Sequence, residues 1–212
     1  MAKLRFNIAI SLDGYVAGPD QSEENPIGVG GMQLHEWLFP LAAFNEMHGR
    51  EGGEVNASTP VVEGWFENLG AIIMGRNMFG PVRGPWGDDP WRGWWGEEPP
   101  FHCPVFVLTH HSREPLEMEG GTTFHFVTDG IEAALERATE AAADKDVSLG
   151  GASVVRQYLA AGLVDEMELA LVPILLGAGE RIFDGLGPDL KLEQLWAIEA
   201  PGVTHLKYRV VK

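Results

Sequence analysis

Several stretches of the 212-residue chain place polar or cationic side chains directly after an apolar, strand-like run. In the segment VSLGGASV (147–154) a strand meets a helix through Gly150 and Gly151. The free N–H groups and positive dipole end of such a helix form a seat for a phosphate or pyrophosphate, and glycine lets the ligand's oxygens approach the backbone. A tight strand-to-helix turn with no ligand is written the same way, so the glycine pair alone leaves both readings open. In IIMGRNMF (72–79), Arg76 follows a strand at the carboxyl edge, where open α/β sheets bind ligands. A guanidinium there suits a phosphate or an adenine face, or is simply a surface arginine on a turn. In VLTHHSR (107–113), Thr109 and His110 follow another strand. They could grip a phosphate or open a polar loop. Asp13, just past the first strand, could orient or protonate a substrate, or cap the turn at Gly14.

Composition removes several alternatives. Lys plus Arg number 15 against 31 Asp plus Glu, a formal charge of −16. Nucleic acid and anionic membrane surfaces are therefore poor partners. Cys103 is the only cysteine, so an internal disulfide is impossible and a reducing, cytoplasmic setting is expected. No apolar run is long enough to span a bilayer, and Asp13 interrupts the N-terminal one too early for a signal peptide. His110 and His111 are adjacent on a loop with no HExxH pattern, so no metal site is expected. Neither a Gly-x-Ser-x-Gly elbow nor a P-loop is present. The acidity is also uneven. Segments 71–86, 99–113 and 147–164 lack Asp and Glu altogether and contain Arg76, Arg83, Arg113 and Arg156.

Elements of β and helical period alternate, the pattern of an α/β fold. Strands are expected at 4–11, 71–74, 105–109, 123–127, 147–149 and 167–176, and an antiparallel pair at 192–198 and 204–211 around Pro201 and Gly202. Helices are expected at 32–44, with Leu34, Trp37, Leu38 and Leu41 on one stripe, at 60–69 ending on Gly70, at 131–143, and at 152–161. Residues 81–100 have neither period. Trp86, Trp91, Trp94 and Trp95 there, with Phe101, could be a lid over a planar substrate, a dimer interface or a satellite core, with interface or packing favoured.

The ordered set SLDGYVAG (11–18), MGRNMF (74–79), PVFVLTH (104–110), LGGASV (149–154) and PILLGAG (173–179) resembles the dihydrofolate-reductase-like superfamily. It is closest to the branch holding the reductase domain of the bifunctional riboflavin-biosynthesis deaminase-reductase. The likeness covers nearly the whole chain and implies one three-layer α/β/α domain over 1–212. Its central sheet is mostly parallel, its C-terminal hairpin antiparallel, and residues 81–100 are an insertion. It implies NADPH as cofactor, with Val16 and Ala17 flanking the nicotinamide. Gly75, Arg76 and Asn77 then lie at the adenosine or phosphate end, and Thr109 and His110 lie near the 2′-phosphate. Gly150, Gly151, Ala152, Ser153 and Val154 cradle the pyrophosphate, with a cis Gly150–Gly151 bond. Glu36 and Trp37 fall where dihydrofolate reductases hold the substrate ring, and Asp13 is the candidate catalytic group. The expected activity is hydride transfer to a C=N or C=O carbon of a pterin-like or ribosylamino-pyrimidine substrate by a homodimer. A non-catalytic NADPH-binding module and a true dihydrofolate reductase remain alternatives. No deaminase motif is present.

Overall fold

The computed structural model describes residues 2–88 and 90–212. In chain order it contains β1 (Leu4–Ser11), β2 (Tyr15–Ala17), a 3-10 turn (Gly31–His35), α1 (Ala42–Met47), α2 (Thr59–Glu63), β3 (Leu69–Gly75), α3 (Arg76–Phe79), β4 (Pro104–Leu108) and β5 (Leu116–Glu117). It continues with β6 (Thr123–Val127), α4 (Ile131–Ala142), β7 (Asp146–Gly150), α5 (Ala152–Ala160), β8 (Glu166–Val172), β9 (Glu180–Arg181), β10 (Lys191–Ala200) and β11 (Val203–Val211). A nine-stranded sheet runs in the order β10-β11-β8-β1-β7-β3-β4-β6-β5. From β8 to β6 every pairing is parallel. Strand β11 joins β8 and β10 antiparallel, and β5 joins β6 antiparallel. The mostly parallel sheet and the C-terminal hairpin are as the sequence predicts.

Strand alternation divides the core between the two faces. Leu4, Phe6, Ile10, Ala71, Ile73, Phe106 and Leu149 face α4 and α5, which contribute Ala134, Ala138, Val155, Tyr158 and Leu159. On the opposite face Ala9, Ala170 and Val172 meet Leu34, Trp37, Leu38 and Val62. Further along the same face, Ile72, Met74, Val105 and Val107 meet Phe79, Trp86, Trp91 and Trp95. The tryptophan-rich stretch is therefore a satellite core. The Trp91 indole N–H donates to the Phe79 carbonyl at 3.0 Å, and Trp95 packs edge-on against Phe101 with centroids 4.8 Å apart.

Two helices are shorter than their apolar stripes predict. The expected helix 32–44 is the 3-10 turn, a run of turns, and then α1. Pro40 accounts for the break: it has no N–H for the helix and disfavours helical geometry at Phe39. The stripe is nonetheless buried, with Leu34 and Leu41 fully enclosed. The expected helix 60–69 stops at Glu63, and Gly70 lies inside β3 rather than at a helix cap. A Cβ on Gly70 would lie 2.7 Å from the Ala142 Cβ, so this glycine lets β3 pass close under α4.

Candidate functional site

A cleft of about 1000 Å³ is lined from the ends of β3, β4 and β7, from β2, and from the loop after it. It brings together Val16, Ala17, Trp37, Gly75, Arg76, Asn77, Thr109, His110, Gly150, Gly151, Ala152, Ser153 and Val154. Residues that lie more than a hundred positions apart in the chain thus share one cleft.

Gly150 and Gly151 form its floor. A Cβ on Gly150 would lie 2.4 Å from the Met78 sulfur, and Gly151 has φ +87°. The turn is made by that positive φ and not by the expected cis bond, since no peptide among the described residues is cis. No side chain caps α5, and its first backbone bond runs from Val155 N–H to the Gly151 carbonyl. The amides of Ala152, Ser153 and Val154 thus sit on the cleft wall without a helical partner, at the positive end of the helix dipole.

Arg76 and Arg83 line the same cleft, and Arg113 joins them at the Trp86 ring. Arg76 donates to the Thr109 hydroxyl and to the Gly84 carbonyl, each at 3.1 Å. Its guanidinium lies 3.2 Å from the Trp86 ring centroid, and Arg113 lies 4.9 Å from the same ring. Arg83 donates to the Gly80 carbonyl at 2.8 Å and to the Gln21 amide oxygen at 2.7 Å. Among the described residues none of these three arginines has a carboxylate partner. Burial lowers the pKa of Arg76, and the charges of Arg83 and Arg113 lower it further. Trp86 therefore serves as a platform that fixes Arg76 against Thr109, a contact that reading the insertion as interface or lid does not supply.

Asp13 and Glu36 stand apart from this arrangement. The Asp13 carboxylate accepts from the Ser11 hydroxyl at 2.5 Å, Leu176 N–H at 3.1 Å and Gly177 N–H at 2.7 Å. These bonds, the Ser11 bond foremost, hold its pKa down to about 2, so it carries no proton to donate near neutrality. It ties the turn between β1 and β2 to the loop after β8, and so positions Val16 and Ala17 from outside the cleft. Glu36 is exposed at the end of the 3-10 turn and does not line the cleft. The pterin-binding carboxylate expected there has no counterpart, because Pro40 prevents the long helix that would aim it inward. Trp37 does line the cleft, held by an indole N–H bond to the Leu34 carbonyl at 2.9 Å.

Among the cleft residues that escape notice in the sequence are Asn7, His35, Trp65 and Ser148. Asn7 and Ser148 are polar residues inside otherwise apolar strands. That interruption is a usable signal, but a single such position usually reflects ordinary hydrogen bonding. His35 is walled in: burial lowers its pKa to about 4 against an opposing pull from the Gly31 carbonyl, and its Nδ1 has no partner.

A mostly parallel sheet with an antiparallel C-terminal hairpin and a glycine-floored cleft at its carboxyl edge defines a dihydrofolate-reductase-like fold. The family model for the RibD C-terminal domain matches residues 2–203, and the chain belongs to that family. A protein from Shewanella sp. PV-4 named for riboflavin biosynthesis superposes with a TM-score of 0.64 at 21% identity, covering 99% of both chains. Acinetobacter baumannii RibD superposes at 0.59 with 18% identity, covering all of this chain but 59% of that one. The Thermotoga maritima diaminohydroxyphosphoribosylaminopyrimidine deaminase/5-amino-6-(5-phosphoribosylamino)uracil reductase gives 0.56 at 15% identity, with 57% of its length covered. This chain thus spans little more than half of those two proteins. Enterococcus faecalis dihydrofolate reductase, solved with NADP(H), gives 0.50 at 11% identity. No curated protein matches the chain by sequence. No helix among the described residues is long and apolar enough to cross a membrane, and no group of acidic, histidine and cysteine side chains among them could hold a metal ion.

Proposed function

We propose that this chain is an NADPH-dependent reductase acting on a C=N or C=O carbon of a pterin-like or ribosylamino-pyrimidine compound. The observation that carries the reading is the pairing, across one cleft, of unpartnered α5 amides with arginines that lack carboxylate partners. An α5 N-terminus suits a pyrophosphate, and Arg76 with Thr109 suits a 2′-phosphate. The glycine floor supports the fit, since a side chain at position 150 would press on Met78. When bound, the nicotinamide supplies the hydride; the protein aligns the two partners and keeps the reacting carbon close. Reduction of C=N adds a hydride to carbon and a proton to nitrogen. With Asp13 held as a carboxylate, solvent water is the proposed proton source. A true dihydrofolate reductase is disfavoured by the absence of Glu36 from the cleft. The proposal extends to a single domain over the whole chain, working as a homodimer in the cytoplasm.

Calorimetry with NADPH and NADH tests the reading. Saturable NADPH binding is expected, and Arg76→Ala should weaken NADPH by about tenfold to a hundredfold through loss of charge-assisted hydrogen bonds. NADH should change by less than about threefold. No NADPH binding at millimolar cofactor refutes the proposal, and equal losses for both cofactors remove the 2′-phosphate role of Arg76.

A further inference from the structure

We infer that the end of the cleft away from the arginines is a pocket for an uncharged, unphosphorylated planar heteroaromatic ring, whose polar edge meets Asn7, Ser148 and His35. The inference deepens the reductase reading, on which it rests only in assigning the arginine end to the cofactor.

The wall of this end is aromatic: Trp37, Trp65, Phe66, Trp94, Trp95 and Phe101 all line it. Flat side chains of this kind favour a flat ligand, through stacked and edge-on contacts together with burial of its faces. The floor is the sheet. Ser148 pairs with Arg5 across the β1–β7 ladder, and Asn7 lies two residues further along β1, so both project from the same face. Neither side chain makes a hydrogen bond among the described residues, although Ser148 is only 8% exposed. Their polar atoms open onto the cleft, so a ligand edge bearing both donors and acceptors can bond to them in place of solvent. The His35 Nδ1 is enclosed at the same end and is also unpartnered. Burial keeps His35 neutral near pH 7, so it offers a hydrogen bond and no charge.

The charges next to this end are already matched. Arg5 donates to Asp146 at 3.1 Å and to the Trp65 and Glu67 carbonyls at 3.2 and 2.7 Å. Lys3 pairs with Glu166 at 2.6 Å, and Lys207 lies 3.5 Å from Glu166 and 4.0 Å from Glu168. Among the described residues no cation at this end is left for a phosphate, and none of these side chains lines the cleft. A dianionic phosphate brought here would lose its hydration without a counter-charge. The two carboxylates of the cleft lining, Asp20 beside the Gln21 that bonds Arg83 and Glu180 paired with Ala17, belong to the other end, so a cationic ring gains nothing here. The pocket therefore departs from what the name of the Thermotoga maritima relative implies, a substrate bearing a phosphoribosyl group.

Four tryptophans line the pocket, so their fluorescence reports binding directly in the full chain. The probes are lumazine, 5-amino-6-(5-phosphoribosylamino)uracil and the dephosphorylated form of that uracil. Lumazine and the dephosphorylated uracil should quench saturably, and the phosphate should strengthen binding by less than about twofold. Asn7→Ala and Ser148→Ala should each weaken lumazine by about tenfold, the worth of one buried hydrogen bond, with unchanged circular dichroism. A phosphorylated uracil binding at least tenfold tighter than its dephosphorylated form overturns the inference, as does the absence of saturable quenching by any of the three probes. Should Asn7→Ala fail to fold, Ser148→Ala and the phosphate comparison in the unaltered protein decide. Cofactor binding is measured apart, by calorimetry without a ring compound. Its absence refutes the reductase reading and leaves the ring-binding result standing.

Discussion

Lowering the pH from 7.5 to 4.5 should destabilise this protein well before its carboxylates titrate. Two histidines with buried ring nitrogens are responsible. His205 is fully buried, with Nε2 at 2.8 Å from the Ser58 hydroxyl and Nδ1 unpartnered; burial brings its pKa from an ordinary 6.5 to about 4. His35 is lowered to about 4 in the same way. The unfolded chain binds these protons near pH 6.5, whereas the folded chain takes them up only near 4. Stability is therefore complete above about pH 7, falls as pH drops through 6.5, and levels off below about 4. Each histidine contributes up to about 1.4 kcal/mol per pH unit, or about 3 kcal/mol across the window. Together they rival the whole stability of a typical domain, about 5–15 kcal/mol. His125, lowered by burial, acts in the same direction, and Glu168, raised by burial, acts against it at lower pH. Asp13, with its pKa near 2, contributes only below its unfolded value of 3.8. Urea unfolding at pH 7.5, 6.5, 5.5 and 4.5 reads the slope. His35→Phe and His205→Phe should each flatten it by roughly half, whatever they do to stability at pH 7.5. A flat profile between pH 7 and 5, or a slope left intact by both substitutions, refutes the reasoning.

Two other predictions concern function and assembly. Asp13→Asn is isosteric but sets an amide NH2 where one carboxylate oxygen accepts, so it removes the charge and gives up the bond from either Leu176 or Gly177. It should cost turnover less than about tenfold, while a loss of a hundredfold or more would restore Asp13 as a general acid. Sedimentation at micromolar concentration should show a dimer, its apolar contact drawn from exposed side chains such as Leu12 and Leu175, 58% and 73% exposed. A clean monomer removes the homodimer proposal.

The elements legible in the sequence are those whose local chemistry and tertiary packing agree. Residues 4–11 and 123–127 alternate, end at turns, and form strands with those bounds. Residues 131–142 carry a helical period with no breaker and form α4. Residues 32–44 mislead because an apolar stripe describes burial, which does occur, while Pro40 controls the backbone, which is not helical. That Gly75, Arg76, Thr109 and Gly150 share one cleft is legible because each lies at the end of a strand, and a parallel sheet delivers all such positions to one edge. The ring end is not. Asn7, Ser148 and His35 come from the middle of two strands and from a 3-10 turn. Only the β1–β7 register and the fold of residues 31–66 over the sheet bring them together. Asp13 misleads for the opposite reason. Its position after a strand is right for chemistry, but its partners, Leu176 and Gly177, lie 163 and 164 residues away and cannot be foreseen locally.

The net charge of −16 shows why the location of charge matters more than its total. At distances beyond a Debye length, about 8 Å at physiological salt, the acidic surface is largely screened. At contact the nearest groups dominate, and at the arginine end of the cleft these are Arg76 and Arg83, with Arg113 beside them, none with a carboxylate partner among the described residues, together with the α5 amides. These arginines disfavour one another: Arg83 and Arg113 lower the pKa of Arg76. Like charges held together in a partly buried cluster cost free energy, which an anion bound among them recovers. At the other end Arg5, Lys3 and Lys207 are each matched by a carboxylate, and no such stored repulsion exists. The two ends of the cleft are therefore selective in opposite senses. One offers an anion counter-charge and the other would have to desolvate it unaided, so, on the proposed reading, charge alone orients a dinucleotide and a neutral ring along the cleft.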